Sequence, residues 1–152
     1  MNLTSLLKAD RINLDLKSRK KDDVLKELVG MVKSGEEADQ IYQRLVERED
    51  LGSTGIGKGI AIPHSRSLLV SKLELAIGRS TKGVSFDTID KKPAFLFFLI
   101  IAPPQDPGNQ YLVALGRVAL VSQNLAKNKL YMEPKTPAEM IQLIRDAEEK
   151  IR

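Results

Sequence analysis

The sequence predicts a three-layer α/β or α+β sandwich, with helices on both faces of a β-sheet. Two observations carry this. Stretches with helical 3.6-residue apolar spacing bracket a middle third that reads as short strands. Within it, Phe95–Ile101 is apolar at every position, as in a central strand covered on both faces. A third observation bounds the size: 152 residues with 42% apolar content suit a single domain, residues 1–152, with a sizeable core. The order of the strands is not readable from pattern.

Taken along the chain, a short apolar patch (Leu3–Leu7) leads to a strand around Ile12–Leu16. A helix is expected over Lys20–Lys33, because Val24, Leu25, Leu28, Met31 and Val32 share one stripe; Gly35 stands where a helix stop belongs. A second helix is expected over Glu37–Glu49, with Ala38, Ile41, Leu45 and Val46 inward and Gly52 beyond its end. Ile60–Ile62 reads as a short strand. Leu73, Leu75 and Ile77 alternate with Glu74, Ala76 and Gly78, which predicts a half-exposed strand. Thr81–Gly83 reads as a turn and Val84–Phe86 as another strand. Leu112, Leu115, Val118 and Ala119 mark a third helix, with Asn109 as its candidate cap. The last helix starts most clearly: Thr136 can cap, Pro137 suits the first position and Glu139 completes a capping box. Met140, Leu143, Ile144, Ala147 and Ile151 form its buried stripe.

Composition narrows the function. There is no cysteine, so no disulfide or thiol chemistry, which is compatible with a cytoplasmic setting. The longest apolar stretch, Ala94–Ala102, is too short to span a bilayer as a helix, and Met1–Thr4 does not resemble a leader. The net charge of +4 includes the run Arg19-Lys20-Lys21 and a looser group, Lys127, Lys129 and Lys135. With seven aromatics and no basic–aromatic alternation, the charge reads as solvated surface rather than a nucleic-acid platform. No cofactor is required, and no His, Cys and carboxylate spacing suggests a metal site.

The chemistry gathers around His64, the only histidine, in Gly59-Ile60-Ala61-Ile62-Pro63-His64-Ser65-Arg66. Imidazole is half neutral near physiological pH, and the neutral form is a nucleophile. Ahead of it, Gly52, Gly55, Gly57 and Gly59 make a loop able to aim several N–H groups at a phosphate. Ser53 and Thr54 add hydroxyls, Lys58 a charge and Arg48 a planar fork suited to phosphate oxygens. Plainer readings exist: a lone histidine can be an ordinary half-buried residue, and Arg48 in the last turn of a helix suits the helix dipole. Gly52–Lys58 also fits the spacing of a nucleotide-binding P-loop. Gly59 stands where that motif needs Ser or Thr, however, and the loop runs from helix to strand instead of strand to helix.

The run Arg48-Glu49, Leu51-Gly52-Ser53-Thr54-Gly55-Ile56-Gly57, Gly59-Ile60-Ala61-Ile62-Pro63-His64 resembles the signature of enzyme IIA domains of the bacterial phosphoenolpyruvate-dependent phosphotransferase system. The class is the fructose, mannitol and nitrogen-regulatory one. The layout is similar across nearly the whole chain, including Ala102-Pro103-Pro104 after the apolar strand. The resemblance implies a mixed sheet flanked by helices, His64 as the phosphorylated residue and Arg48 as the active-site arginine. Two positions depart from the pattern. A second histidine is usual directly before a leucine, where this chain has Tyr111 before Leu112; Gln110 is the other candidate if the loop shifts by one. Tyr111 can donate one hydrogen bond but carries no positive charge. Lys58 stands where relatives often have Asn or an acidic residue, and a cation there would partly offset the missing charge.

The resemblance implies an HPr-like carrier as phosphoryl donor and, in transport, a IIB domain as acceptor, with positioning and electrostatics supplying most of the catalysis. The alternative is a regulatory binding module whose protein contacts depend on His64 phosphorylation. The sequence holds no fused membrane or IIB segment and lacks the second histidine, and both lean toward regulation. A nucleic-acid binder, the third class, would show salt-sensitive affinity.

Overall fold

The computed structural model describes residues 2–151. Two 3-10 turns (Leu3–Leu6 and Ala9–Arg11) precede strand β1 (Ile12–Asn13), then helices α1 (Lys21–Gly30) and α2 (Gly35–Asp50). Three short strands follow, β2 (Gly55–Gly57), β3 (Ile60–Ala61) and β4 (His64–Arg66), and two long ones, β5 (Glu74–Val84) and β6 (Ala94–Ala102). Helix α3 (Gln110–Leu125), a 3-10 segment (Lys127–Met132) and helix α4 (Pro137–Glu149) complete the fold. Among the described residues no helix is long and apolar enough to cross a membrane.

The sheet is mixed, in the order β1-β5-β6-β3-β2, with β4 also paired to β6. Strand β6 is its axis, antiparallel to β5 and parallel to both β3 and β4. Strands β3 and β4 lie end to end along one edge of β6, Ile60 and Ala61 against Leu96 and Phe97, then His64 to Arg66 against Ile100 to Ala102. Pro63 marks the break, since it has no N–H to donate, but its carbonyl still accepts from Ile100 N at 3.0 Å.

Because side chains alternate across a strand, β6 feeds two cores. Leu96, Phe98, Ile100 and Ala102 pack with α3, α4 and the N-terminal turn; Phe97, Leu99 and Ile101 pack with α1 and α2. The expected sandwich with helices on both faces is therefore the observed one, and Phe95–Ile101 lies in its central strand.

Several local expectations are corrected. Strand β5 is covered on both faces, not one: Leu75 and Ile77 face the α3/α4 core, Ala76 faces the α1/α2 core, and Gly78 lets Leu16 and Leu28 pack against its backbone. Small residues on the second face made a two-sided strand look half-exposed. Thr81–Gly83 is a bulge inside β5, where the pairing slips between Arg79 and Val84, and not a turn between strands. The first strand stops at Asn13, although Leu16 N still donates to Arg79 O at 2.9 Å. On α3 the buried set is Tyr111, Ala114, Val118, Val121, Ser122 and Leu125, while Leu112 is 57% exposed. That helix is apolar on nearly every side, so spacing alone could not choose its inward face. Its start is capped by Asp106, not Asn109: the Asp106 carboxylate accepts from Gln110 N at 3.2 Å and Tyr111 N at 2.8 Å. Helix α4 starts as expected, with Thr136 Oγ1 accepting from Glu139 N at 3.2 Å.

Candidate functional site

Three elements meet at the carboxyl end of β6: the last turn of α2, strand β4, and the first turn of α3. Each brings one polar side chain. Arg48 lies in the last turn of α2, His64 opens β4 opposite Ile100, and Tyr111 sits in the first turn of α3. His64 is thus inside a strand, not just past one as its sequence position suggested; β4 resumes the line of β3 after Pro63.

The state of His64 follows from its hydrogen bond. Its Nδ1 lies 2.6 Å from the carbonyl oxygen of Ile62. A carbonyl can only accept, so Nδ1 carries the hydrogen and the lone pair is on Nε2. Burial pushes the His64 pKa below its ordinary value; the Ile62 carbonyl opposes this, Arg48 lowers it further and Glu49 raises it. The ring is therefore an uncharged imidazole at neutral pH, with its free lone pair on Nε2.

Tyr111 is the aromatic neighbour of His64, with ring centroids 5.9 Å apart and planes tilted by 60°. It, and not the exposed Gln110, occupies the position beside the imidazole. Burial pushes the phenol up to about 12, against the pull of Arg66 and Arg48, so it stays protonated and can donate. Arg66 stacks over the Tyr111 ring at 4.5 Å, donates from Nη1 to Pro103 O at 2.9 Å, and lies 3.9 Å from Asp106. Arg48 donates from Nη1 to Gly52 O at 2.8 Å, which ties it to the start of the glycine loop.

The loop itself is pinned from below. The buried carboxylate of Glu49 accepts from Thr54 N at 3.1 Å and from the Thr54 hydroxyl, and pairs with Lys21 Nζ at 2.9 Å. Thr54 O in turn accepts from Ile62 N at 3.0 Å, so this chain of bonds runs to the residue that orients His64. Ser53 Oγ donates to Phe86 O at 2.7 Å and accepts from Gly55 N at 3.0 Å.

Three of the groups expected to stabilise a phosphate have other partners in the structure or lie away from His64. The hydroxyl hydrogens of Ser53 and Thr54 are committed to Phe86 O and Glu49, so they shape the loop and are not free donors. Lys58 is exposed in the turn between β2 and β3, with its N–H on Asp90 at 2.9 Å. Register puts Ile60 opposite Leu96 and His64 opposite Ile100, about 13 Å apart along β6, and Lys58 lies beyond Ile60. Its backbone therefore lies well away from His64. Conversely, Glu49, Arg66 and Asp106 were not singled out from the sequence. Glu49 and Arg66 stand inside the quoted motif run. The period of two in a strand, which puts His64 and Arg66 on one face, is the signal that could have drawn attention to Arg66.

An uncharged imidazole near guanidinium groups, at the carboxyl end of a mixed sheet, is an arrangement suited to phosphoryl transfer. Comparison with known proteins agrees. The family model described as "Phosphoenolpyruvate-dependent sugar phosphotransferase system, EIIA 2" matches residues 5–147, and the chain belongs to that family of phosphocarriers. The PTS system fructose-specific EIIABC component of Bacillus subtilis is 35% identical over 147 residues, which is 95% of this chain but 23% of that protein. The chain therefore spans less than a quarter of that relative. The nitrogen regulatory protein of Bradyrhizobium diazoefficiens is 33% identical over 131 residues, covering 84% of this chain and 85% of that one. The crystal structure of nitrogen regulatory protein IIA-Ntr from Neisseria meningitidis shares the fold with a TM-score of 0.82 and 28% identity, over 93% of this chain and 98% of that one.

Proposed function

We propose that His64 accepts a phosphoryl group on Nε2 from an HPr-like carrier and passes it on, in the cytoplasm, to a IIB-type domain. The observation that carries this reading is the 2.6 Å contact between Nδ1 and Ile62 O, which leaves Nε2 with the free lone pair. That lone pair attacks the phosphorus of the donor's phosphohistidine in line. A new N–P bond forms as the donor's N–P bond breaks, and the electron pair leaves with the donor imidazole. The charge on the three transferring oxygens is met by Arg48, with one hydrogen bond available from Tyr111. Onward transfer repeats the step with a nucleophile of the acceptor.

A regulatory role for the same phosphorylation is the second reading. It is favoured by the likeness to a nitrogen regulatory protein, 33% identical over 131 residues. Here the phosphorylated and free states of His64 differ in which protein they contact. Phosphate that moves to a IIB cysteine supports transport; phosphate that only returns to the carrier supports regulation.

The test is intact-mass measurement after incubation with phosphoenolpyruvate, enzyme I and an HPr-type carrier. One phosphate gained at neutral pH, lost on brief acid treatment and absent from folded His64→Ala is expected. Equal labelling of His64→Ala would overturn the site.

A further inference from the structure

We propose that Arg66 is a second phosphoryl-binding cation of this site, acting beside Arg48 where Tyr111 supplies no charge. The inference rests on phosphorylation of His64 as proposed above and adds a residue to it. It begins with strand geometry. His64 and Arg66 are two residues apart in β4, so their side chains leave the same face of the sheet from Cα atoms about 6.6 Å apart. Their partners on β6, Ile100 and Ala102, both belong to the α3/α4 core, the face on which Tyr111 packs. The Tyr111 ring touches both, 5.9 Å from the imidazole and 4.5 Å from the Arg66 guanidinium.

Charge balance makes the same point. A phosphoryl group carries close to two negative charges at neutral pH. Arg48 answers one of them. Glu49, next to it in the chain, adds no cation, and its own charge is matched by Lys21 at 2.9 Å. Lys58 is at the other end of the strand line. The charged side chains facing Tyr111 are Arg48 from α2, Arg66 from β4 and Asp106 from the loop before α3. Asp106 gives its carboxylate oxygens to two N–H groups of α3 and forms an ion pair with Arg66 at 3.9 Å, longer than a hydrogen bond, so the Arg66 N–H groups are not taken up by it.

Arg66 is also oriented in advance. Stacking on Tyr111 and the bond from Nη1 to Pro103 O hold its plane, while 36% of the side chain remains exposed. Among the described residues only Nη1 has a hydrogen-bond partner, so the other N–H groups are available to phosphoryl oxygens. A planar fork held in this way loses little freedom when it binds.

The experiment compares wild type, Arg66→Met, Arg66→Lys and Arg66→Met/Tyr111→His for the rate of phosphorylation by an HPr-type carrier, with melting temperature measured in parallel. Arg66→Met keeps the stem over Tyr111 and is expected to lower the rate about a hundredfold. Arg66→Lys keeps a charge and should lose less. Adding Tyr111→His should restore part of the rate as pH falls and the new imidazole takes up a proton; wild type should show no such recovery. Should Arg66→Met melt far below wild type, the comparison is read on Arg66→Gln, which keeps a donor for the Pro103 carbonyl. A rate within twofold of wild type in the folded neutral variant, or no pH-dependent recovery in the double variant, overturns the role of Arg66. Failure of wild type itself to gain an acid-labile phosphate would sink the His64 reading instead.

Discussion

Removing the Glu49 carboxylate tests whether the loop ahead of His64 is held from below as the structure indicates. Glu49 is 7% exposed and has three partners: the N–H and hydroxyl of Thr54, and the Lys21 ammonium at 2.9 Å. Glu49→Ala leaves the Thr54 N–H buried without an acceptor, which costs about 1–3 kcal/mol. It also breaks a largely buried ion pair, for which about 3–5 kcal/mol is usual. The two terms overlap, and Lys21 keeps Asp87 at 3.7 Å and some solvent access, so the low end applies. The expected loss is about 4 kcal/mol, out of the ~5–15 kcal/mol typical of a domain. With a urea slope of about 2 kcal/mol per molar, the unfolding midpoint falls by about 2 M. Glu49→Gln keeps an acceptor for Thr54 but not the charge and should lose about half as much. Adding Lys21→Met to Glu49→Gln should recover part of that loss, since no ion then lacks its partner. Urea unfolding followed by circular dichroism reads all of these. A midpoint for Glu49→Ala within about 0.5 M of wild type would refute the argument that this carboxylate anchors the loop.

Two further outcomes are expected. The His64 pKa is lower folded than unfolded, so its contribution to stability is full above the unfolded value, near 6.5, and is lost as pH falls toward the folded value. Between about pH 7.5 and 5.5 wild type should lose more stability than His64→Gln, and parallel urea midpoints in the two proteins would refute this. Gly59 has φ +85°, and a Cβ there would meet the Tyr131 hydroxyl, while its carbonyl accepts from Phe95 N at 2.7 Å and Leu96 N at 3.0 Å. Gly59→Ala is therefore expected to cost about 3 kcal/mol or more, from left-handed backbone strain and overpacking together. A thermal melt within about 2 °C of wild type would contradict it.

The parts of the fold legible in the letters are those where one local rule acts alone. The α4 start was readable because Thr136, Pro137 and Glu139 act within a single turn. The central strand was readable because burial on both faces demands an unbroken apolar run. Helix α3 shows the opposite case: with Leu112, Val113 and Leu120 all exposed, an all-round apolar helix presents several possible stripes, and only packing against β6 selects one.

At the site the division is similar. The sequence by itself left one candidate nucleophile, since there is a single histidine, and it placed Arg48 and the glycine loop before that histidine in the chain. It also determined the family, through a long run of motif residues. Tertiary structure alone decided which nitrogen of His64 is free, because that depends on where the Ile62 carbonyl points. It decided that Tyr111, and not Gln110, stands beside the imidazole, because the register of α3 is set by Asp106 at its cap. It set Lys58, six residues before His64 in the chain, far from the imidazole along the strand line, and put Arg66, only two residues after it, on the same face as His64. The reason is extended geometry: six residues along a strand line carry a side chain far from its neighbour, whereas a separation of two returns it to the same face.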